Sequence, residues 1–279
     1  MSGNQKSQSP LGRVLSIAGS DSGGGAGIQA DLKTCTALGC FGMTAVTALT
    51  AQNTVGVSAI LEVPVEHVEA QIAAVFDDIG VDAVKTGMLS SAPIIETVAH
   101  TLKRYNTANI VVDPVMISKS GAALLRNDAV ETLKKYLIPM ATVLCPNIPE
   151  AEALAGISIH SKEDIASALR LLHDLGPDWV LLKGGHLHSA EATDYLYDGK
   201  NTITYAATRI DTANTHGTGC TYSAAIACYL ASGELPASAV SKAKKYLTGA
   251  IRNSDRLHIG HGSGPLHHGW NLESPVNKD

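Results

Sequence analysis

A chain of 279 residues with 45% hydrophobic and 17% charged residues holds ample apolar material for a large packed core and lies well away from disordered composition. A net charge of -5 without a basic stripe, and only 4% aromatic residues, exclude a nucleic-acid binder built on a cationic face or on stacked rings. The five cysteines, at 35, 40, 145, 220 and 228, form no C-x-x-C pair, no window reaches membrane-span length, and the first ten residues are polar without an apolar core, so the expectation is a cytoplasmic chain with no membrane partner.

Arg13 to Ala18 is a short apolar run ended by Gly19, the pattern of a buried strand. A glycine-rich loop, Gly19 to Gly27, leads into a helical pattern through Leu38, which opens a βαβ unit. The loop holds Gly25-x-Gly27-x-x-Ala30, close to a dinucleotide fingerprint. That fingerprint needs an acid about 20 residues on to hold a ribose, and Met43 to Ala51 contains none, which argues against NAD.

Met43 to Ala51 reads as a strand leading into Gln52, Val57 to Val63 as an edge strand, and Glu66 to Ile79 as a helix. Strand Ala83 to Thr86 and a helix to about Arg104 follow, with Pro93 in the first turn, where proline is tolerated. Ile110 to Val112 is a buried strand ending at Asp113-Pro114. A helix from about Asp128 to Leu137 precedes strand Val143 to Cys145 and then Pro146-Asn147-Ile148-Pro149-Glu150. Helix 162 to 175 and strand Trp179 to Leu182 end at Lys183-Gly184-Gly185-His186. Thr193 to Tyr197 and Thr202 to Tyr205 flank Asp198-Gly199, a hairpin signal. Thr215-His216-Gly217-Thr218-Gly219-Cys220 opens a small-residue helix, and a last helix spans about Ala237 to Asp255. The segment His258 to His268 is rich in Gly and His, and its histidines lack metal-ligand spacing.

Alternating strands and helices predict an α/β fold with a mainly parallel sheet covered on both faces. No linker or repeat divides it, so one domain over 13–268 is expected, with tails at 1–12 and 269–279. Ligands of such sheets bind beyond the carboxyl ends of the strands, and Asp21, Gln52, Asp113, Asn147, Glu150, Lys183 and the 215–220 turn all fall there. The turn is a helix start rimmed by glycine, a natural anion site, and a thiol at Cys220 in that field should ionise more easily than in water. Lys183 suits phosphate charge, Asn147 and Glu150 are either a capping box or oxygen ligands for hydrated magnesium, and Gln52 offers donor and acceptor to a heterocycle. There is no Walker loop.

These stretches in this order resemble the hydroxymethylpyrimidine and phosphomethylpyrimidine kinases of thiamine biosynthesis, in the ribokinase-like superfamily. The carrying segments are Ala18 to Asp21 with Gly24 to Asp31, Ala51 to Thr54, Lys85 to Leu89, Val112 to Met116, Pro146 to Glu150, Lys183 to His186 and Asn214 to Thr221. The resemblance implies a three-layer α/β sandwich, ATP as co-substrate, Mg2+, and a homodimer. It places Gln52, Asp31, Ala26, Gly19 and Met88 around the pyrimidine. It assigns ATP to Asn147, Lys183, Thr215, Gly217, Thr218 and Gly219, and metal to Glu150 and Asp113. Lys183, Gly217 and Gly219 would be catalytic, with Cys220 where many sugar kinases of the superfamily carry an aspartate base. The reaction implied is ATP-dependent phosphorylation of 4-amino-5-hydroxymethyl-2-methylpyrimidine to its monophosphate and then its diphosphate; a pyridoxal or pyridoxine kinase on the same scaffold is the alternative.

Overall fold

In the computed structural model the described residues are 12–116, 129–184 and 191–272. Their strands form one nine-stranded sheet in the order β3-β2-β1-β4-β5-β6-β7-β8-β9. The strands are β1 (Arg13–Asp21), β2 (Phe41–Gln52), β3 (Val57–Glu62), β4 (Ala83–Thr86), β5 (Ile110–Val112), β6 (Val143–Leu144), β7 (Trp179–Leu182), β8 (Glu191–Tyr197) and β9 (Thr202–Thr208). Six strands, β2, β1 and β4 to β7, run parallel, while β3 at one edge and the β8–β9 hairpin at the other are antiparallel.

The helices are α1 (Gly27–Ala37), α2 (Val65–Asp78), α3 (Ala92–Arg104), α4 (Ala129–Thr132, continuing as a π turn Leu133–Leu137), α5 (Ile148–Ala155), α6 (Lys162–His173), α7 (Thr218–Ala231) and α8 (Pro236–Arg252). Strand side chains alternate between two helix layers. Leu15, Val84, Val112, Leu144 and Val180 pack with α2 to α6, whereas Val14, Ala83, Val111, Val143 and Leu181 pack with α1, α7 and α8. Both faces of the central strands are therefore apolar, which is why these segments read as continuous hydrophobic runs.

Chain order reverses at β1, which has β2 on one side and β4 on the other. Such a switch point opens a crevice beyond the carboxyl ends of the strands. Here the register of β1 against β2 slips between Ala18 and Ser20, loosening the ladder at Gly19.

Several boundaries differ from the sequence reading. Strands β8 and β9 run longer than expected because they pair over their whole length, Glu191 with Thr208 through Tyr197 with Thr202. Within the segment past His258, residues 258–262 stay exposed and 263–270 are packed down. The His268 ring is buried, its Nε2 lies 3.0 Å from Thr221 Oγ1, and burial pushes it down to about 4. Trp270 Nε1 donates to the Tyr246 carbonyl at 3.2 Å, and Asn271 Nδ2 to that of Ala37 at 2.9 Å. The expected N-terminal tail falls almost wholly outside the described residues, as do Asp128, Gly185, His186 and the last seven residues. Among the described residues no helix is long and apolar enough to cross a membrane.

Candidate active site

A cleft of about 730 Å³ lies along the carboxyl ends of the strands. Gly19, Ala26, Gln52, Met88, Asp113, Asn147, Glu150, Lys183, Thr215, Gly217, Thr218, Gly219 and Cys220 all line it. Asp31 lies behind the wall, buried in α1. Its carboxylate is held by Lys85 Nζ at 2.8 and 3.0 Å and by the Ser16 hydroxyl at 2.5 Å.

One end of the cleft is built where the glycine loop meets the 215–220 turn. Gly217 caps α7 with φ of 85°, a left-handed conformation that glycine adopts without strain. A methyl group on it would collide with the Gly25 carbonyl, so the two loops touch backbone to backbone. The Asp21 carboxylate accepts the N–H groups of Gly23 at 2.8 Å, Gly25 at 3.1 Å and Ala26 at 2.8 Å. His216 Nε2 lies 2.8 Å from Asp21 Oδ2 and ties the turn to the loop. Burial pushes the Asp21 carboxyl up, but His216 and these N–H groups outweigh it and hold it below its usual range.

Facing a carboxylate, His216 Nε2 carries the proton and has no lone pair to offer. The Gln52 amide atom 3.4 Å from that nitrogen is therefore its carbonyl oxygen, since amide ends are assigned by hydrogen bonding. The NH2 end then donates to Thr50 Oγ1, 3.1 Å away, whose own proton goes to the Ser20 carbonyl at 2.9 Å.

The cleft is charged around Lys183. Lys183 leaves the end of β7 with its Nζ 2.8 Å from Asp113 Oδ1, and Ser223 donates to Asp113 Oδ2 at 3.1 Å. Burial works against the Lys183 ammonium, but Asp113 and Glu150 hold it charged, well above its usual range. The first residues of α7 face this ammonium, and a Cβ built on Gly219 would sit 3.4 Å from Lys183 Nζ.

Asn147 and Glu150 form a complete capping box on α5. Glu150 N–H donates to Asn147 Oδ1 at 2.9 Å, and Asn147 N–H to Glu150 Oε2 at 2.8 Å. Burial pushes the Glu150 carboxyl up; Lys183 pulls it back, Asp113 pushes again, and the result is about 7.

Cys220 stands in the first turn of α7, partly exposed to the cleft. Burial pushes its thiol up to about 11, although Lys85 and the Gly27 N–H pull it back. The expected easy ionisation fails because burial outweighs the helix start. In the free protein this thiol stays protonated at neutral pH.

The sequence reading missed several groups that the cleft brings in. Lys85 lines it while buried in β4, and a lysine inside a four-residue buried strand signals a paired charge. Lys244 of α8 bonds Asp194 of β8 at 2.6 Å, and Asp194 accepts the Gly184 N–H at 3.0 Å. Nothing local in the sequence joins residues so far apart.

The phosphomethylpyrimidine kinase profile matches residues 21–267. The chain belongs to that family. It is 51% identical to the hydroxymethylpyrimidine/phosphomethylpyrimidine kinase of Streptomyces coelicolor, over 93% of this chain and 95% of that one. It is 52% identical to a thiamine biosynthesis bifunctional protein of Geobacter sulfurreducens over 95% of this chain, and spans 54% of that longer relative. Among solved structures, a pyridoxal kinase from Bacillus subtilis in an ADP complex superposes with a TM-score of 0.86 at 38% identity, over 95% of this chain and 100% of that chain. A ribokinase-like vitamin-kinase fold is common to the family and to this neighbour.

Proposed function

We propose that the chain transfers the γ-phosphoryl group of ATP to the hydroxymethyl oxygen of 4-amino-5-hydroxymethyl-2-methylpyrimidine, and then a second phosphoryl group to the monophosphate, for thiamine biosynthesis. The observation that carries this reading is the meeting of Lys183, paired with Asp113, with the glycine-capped start of α7 at one end of a cleft whose other wall presents Gln52, Gly19 and Met88.

The work of such a transfer is positioning and charge stabilisation. The N–H groups at the start of α7 and the Lys183 ammonium stabilise negative charge spreading over the transferred group. Thr215, Thr218 and Asn147 belong to the ATP side of the cleft. Gln52, Ala26, Gly19 and Met88 hold the ring, and Asp31 supports that wall from behind through Lys85. Cys220 takes the hydroxyl proton in the first transfer, which requires bound substrate to bring its thiol down from about 11. The second transfer needs no such base, because the accepting phosphate oxygen is already anionic.

Among the described residues no three His, Cys, Asp or Glu side chains are arranged to hold a metal ion. A hydrated magnesium ion needs only one or two carboxylates plus phosphates, and Glu150 on the cleft wall fits that demand, provided that the cation draws off the proton that burial favours. Asp113 would enter such a site with its oxygens already bonded to Lys183 and Ser223, as Glu150 would with its carboxylate already accepting the Asn147 N–H. Such an ion would supply charge neutralisation for the phosphates; Glu150 would hold it, and Lys183 would orient the transferred phosphate. The reading includes one kinase domain over 13–268 and a cytoplasmic setting. It also includes a homodimer, which the exposed Val55, Ile60 and Leu61 at and beside edge strand β3 support.

A pyridoxal kinase is the second reading, favoured by the superposition on the Bacillus enzyme. ADP release measured with the pyrimidine alcohol, its monophosphate and pyridoxal separates them. The expected order has kcat/KM for both pyrimidines above that for pyridoxal. A much higher value for pyridoxal reverses the assignment, and tight binding without ADP release at any magnesium concentration ends the kinase reading.

A further inference from the structure

Three of the five thiols meet outside the cleft, where the last turn of α1, the start of β2 and the later part of α7 come together. Cys228 Sγ lies 3.6 Å from Cys35 Sγ. The chain turns back after α1, with the Cys40 N–H on the Cys35 carbonyl at 2.9 Å. This places Cys40 Sγ 3.7 Å from the Cys228 carbonyl and 4.0 Å from Ser232 Oγ. Cys40 Sγ therefore lies against residue 228, whose own Sγ faces Cys35.

The three differ in access. Cys35 and Cys228 are each 1% exposed, whereas Cys40 is partly exposed between exposed Gly39 and Phe41. The Cys228 thiol and, against burial, the Ser232 hydroxyl bring Cys40 down to about 7, with Asp82 opposing them and Tyr229 also nearby. A reachable, readily ionised thiol with a second thiol against it is the arrangement of redox-sensitive cysteines. Cys220, the thiol of the cleft, is eight residues earlier on the same helix, about 12 Å away at 1.5 Å per residue.

We propose that Cys40 and Cys228 form a reversible, hydroperoxide-sensitive dithiol, in which Cys40 is the entry point and Cys228 the resolving thiol. The Cys40 thiolate attacks a peroxide oxygen: an S–O bond forms, the O–O bond breaks, and the departing alkoxide or hydroxide takes a proton. The Cys228 sulfur then attacks the Cys40 sulfenic acid. An S–S bond forms, the S–O bond breaks, and hydroxide leaves with the Cys228 proton as water. Two thiols are oxidised and one hydroperoxide is reduced to an alcohol, or to water when the oxidant is hydrogen peroxide. A dithiol reductant reverses the step by exchange.

The test treats the full chain with hydrogen peroxide, blocks remaining thiols with an alkylating agent under denaturing conditions, and maps non-reduced peptides by mass spectrometry. A Cys40–Cys228 linked peptide is expected, lost on reduction with dithiothreitol and absent in Cys40→Ser. In Cys228→Ala, dimedone is expected to trap Cys40 as a sulfenic acid; the linked peptide is read in the unaltered protein, so a variant that folds poorly leaves that readout intact. Cys220→Ser should leave the linked peptide unchanged. Alkylatable Cys228 in protein whose Cys40 has reached sulfinic acid would overturn the proposal, as would a Cys228 disulfide that still forms in Cys40→Ser.

Discussion

His216 Nε2 meets Asp21 Oδ2 at 2.8 Å, joining two residues 195 apart in sequence. The contact fixes the imidazole tautomer, and through it the orientation in which Gln52 presents its amide to the cleft. Replacing His216 with Phe keeps a ring of similar shape and removes the bond. The expected result is a rise in KM for the pyrimidine alcohol of roughly 10-fold or more, the scale of one hydrogen bond to a charged group, with a smaller change in kcat. Steady-state kinetics decide it: an unchanged KM with a collapsed kcat would place His216 in the chemistry and not in positioning.

Gly217 and Gly219 separate two demands on one turn. At Gly219 a Cβ would meet Lys183 Nζ at 3.4 Å and Asp113 Oδ2 at 3.5 Å, ordinary contacts that leave the fold intact. The methyl group would occupy the space in front of the Lys183 ammonium. Gly219→Ala is therefore expected to keep the Tm and to lose kcat by roughly 10- to 100-fold, comparable to disturbing one charge-stabilising donor. Full activity in this variant would remove the turn from the transfer step.

Cys220→Ser tests the base. A hydroxyl is far less acidic than a thiol, so phosphorylation of the alcohol should fall by roughly 100-fold, the range of general-base assistance, while phosphorylation of the monophosphate falls much less. Equal losses on both substrates would make Cys220 a packing residue. A companion measurement is alkylation of Cys220 in the free protein, which should accelerate steeply as pH approaches about 11.

Glu150 carries a pH dependence of stability. Its carboxyl is raised from 4.5 to about 7 on folding, so the native state binds the proton more tightly than the unfolded chain. That contribution is fully present below the unfolded value and is lost as pH rises through about 7. In protein free of magnesium and nucleotide, Tm should therefore decline between pH 5 and 8. Glu150→Gln preserves the capping box, because the amide oxygen still accepts the Asn147 N–H, and should flatten that decline. A decline of the same slope in the variant would assign it to another group.

The order of elements was legible because the central strands are apolar on both faces and most helices keep one apolar stripe, α7 being buried all round from Thr221 to Cys228. Trp179 to Leu182 could be bounded from residues alone, as could the edge position of β3. The rim of the cleft was legible for a similar reason, since a polar residue just after a buried run marks a strand's carboxyl end. What stayed hidden were partnerships across the chain. Asp31 was placed at the pyrimidine by resemblance alone, and its helix gives no hint that Lys85, 54 residues on, lies against it. The acidity of Cys220 was misjudged because a helix start is visible in sequence while the depth of burial around it is not. Asn147 and Glu150 had two readings, and the capping geometry and the cleft position hold together.

The locking of the glycine loop onto the 215–220 turn has a consequence for biosynthesis of the enzyme. Asp21 emerges from the ribosome early, but its partner His216 pairs in turn with Pro265, and Ser263 donates to the Thr54 carbonyl at 3.0 Å. The glycine loop therefore waits for nearly the whole chain before its last contacts can form. Because closing such long loops slows folding, catalytic competence arrives as one of the final events of maturation and a nascent chain stopped before Pro265 lacks a finished site.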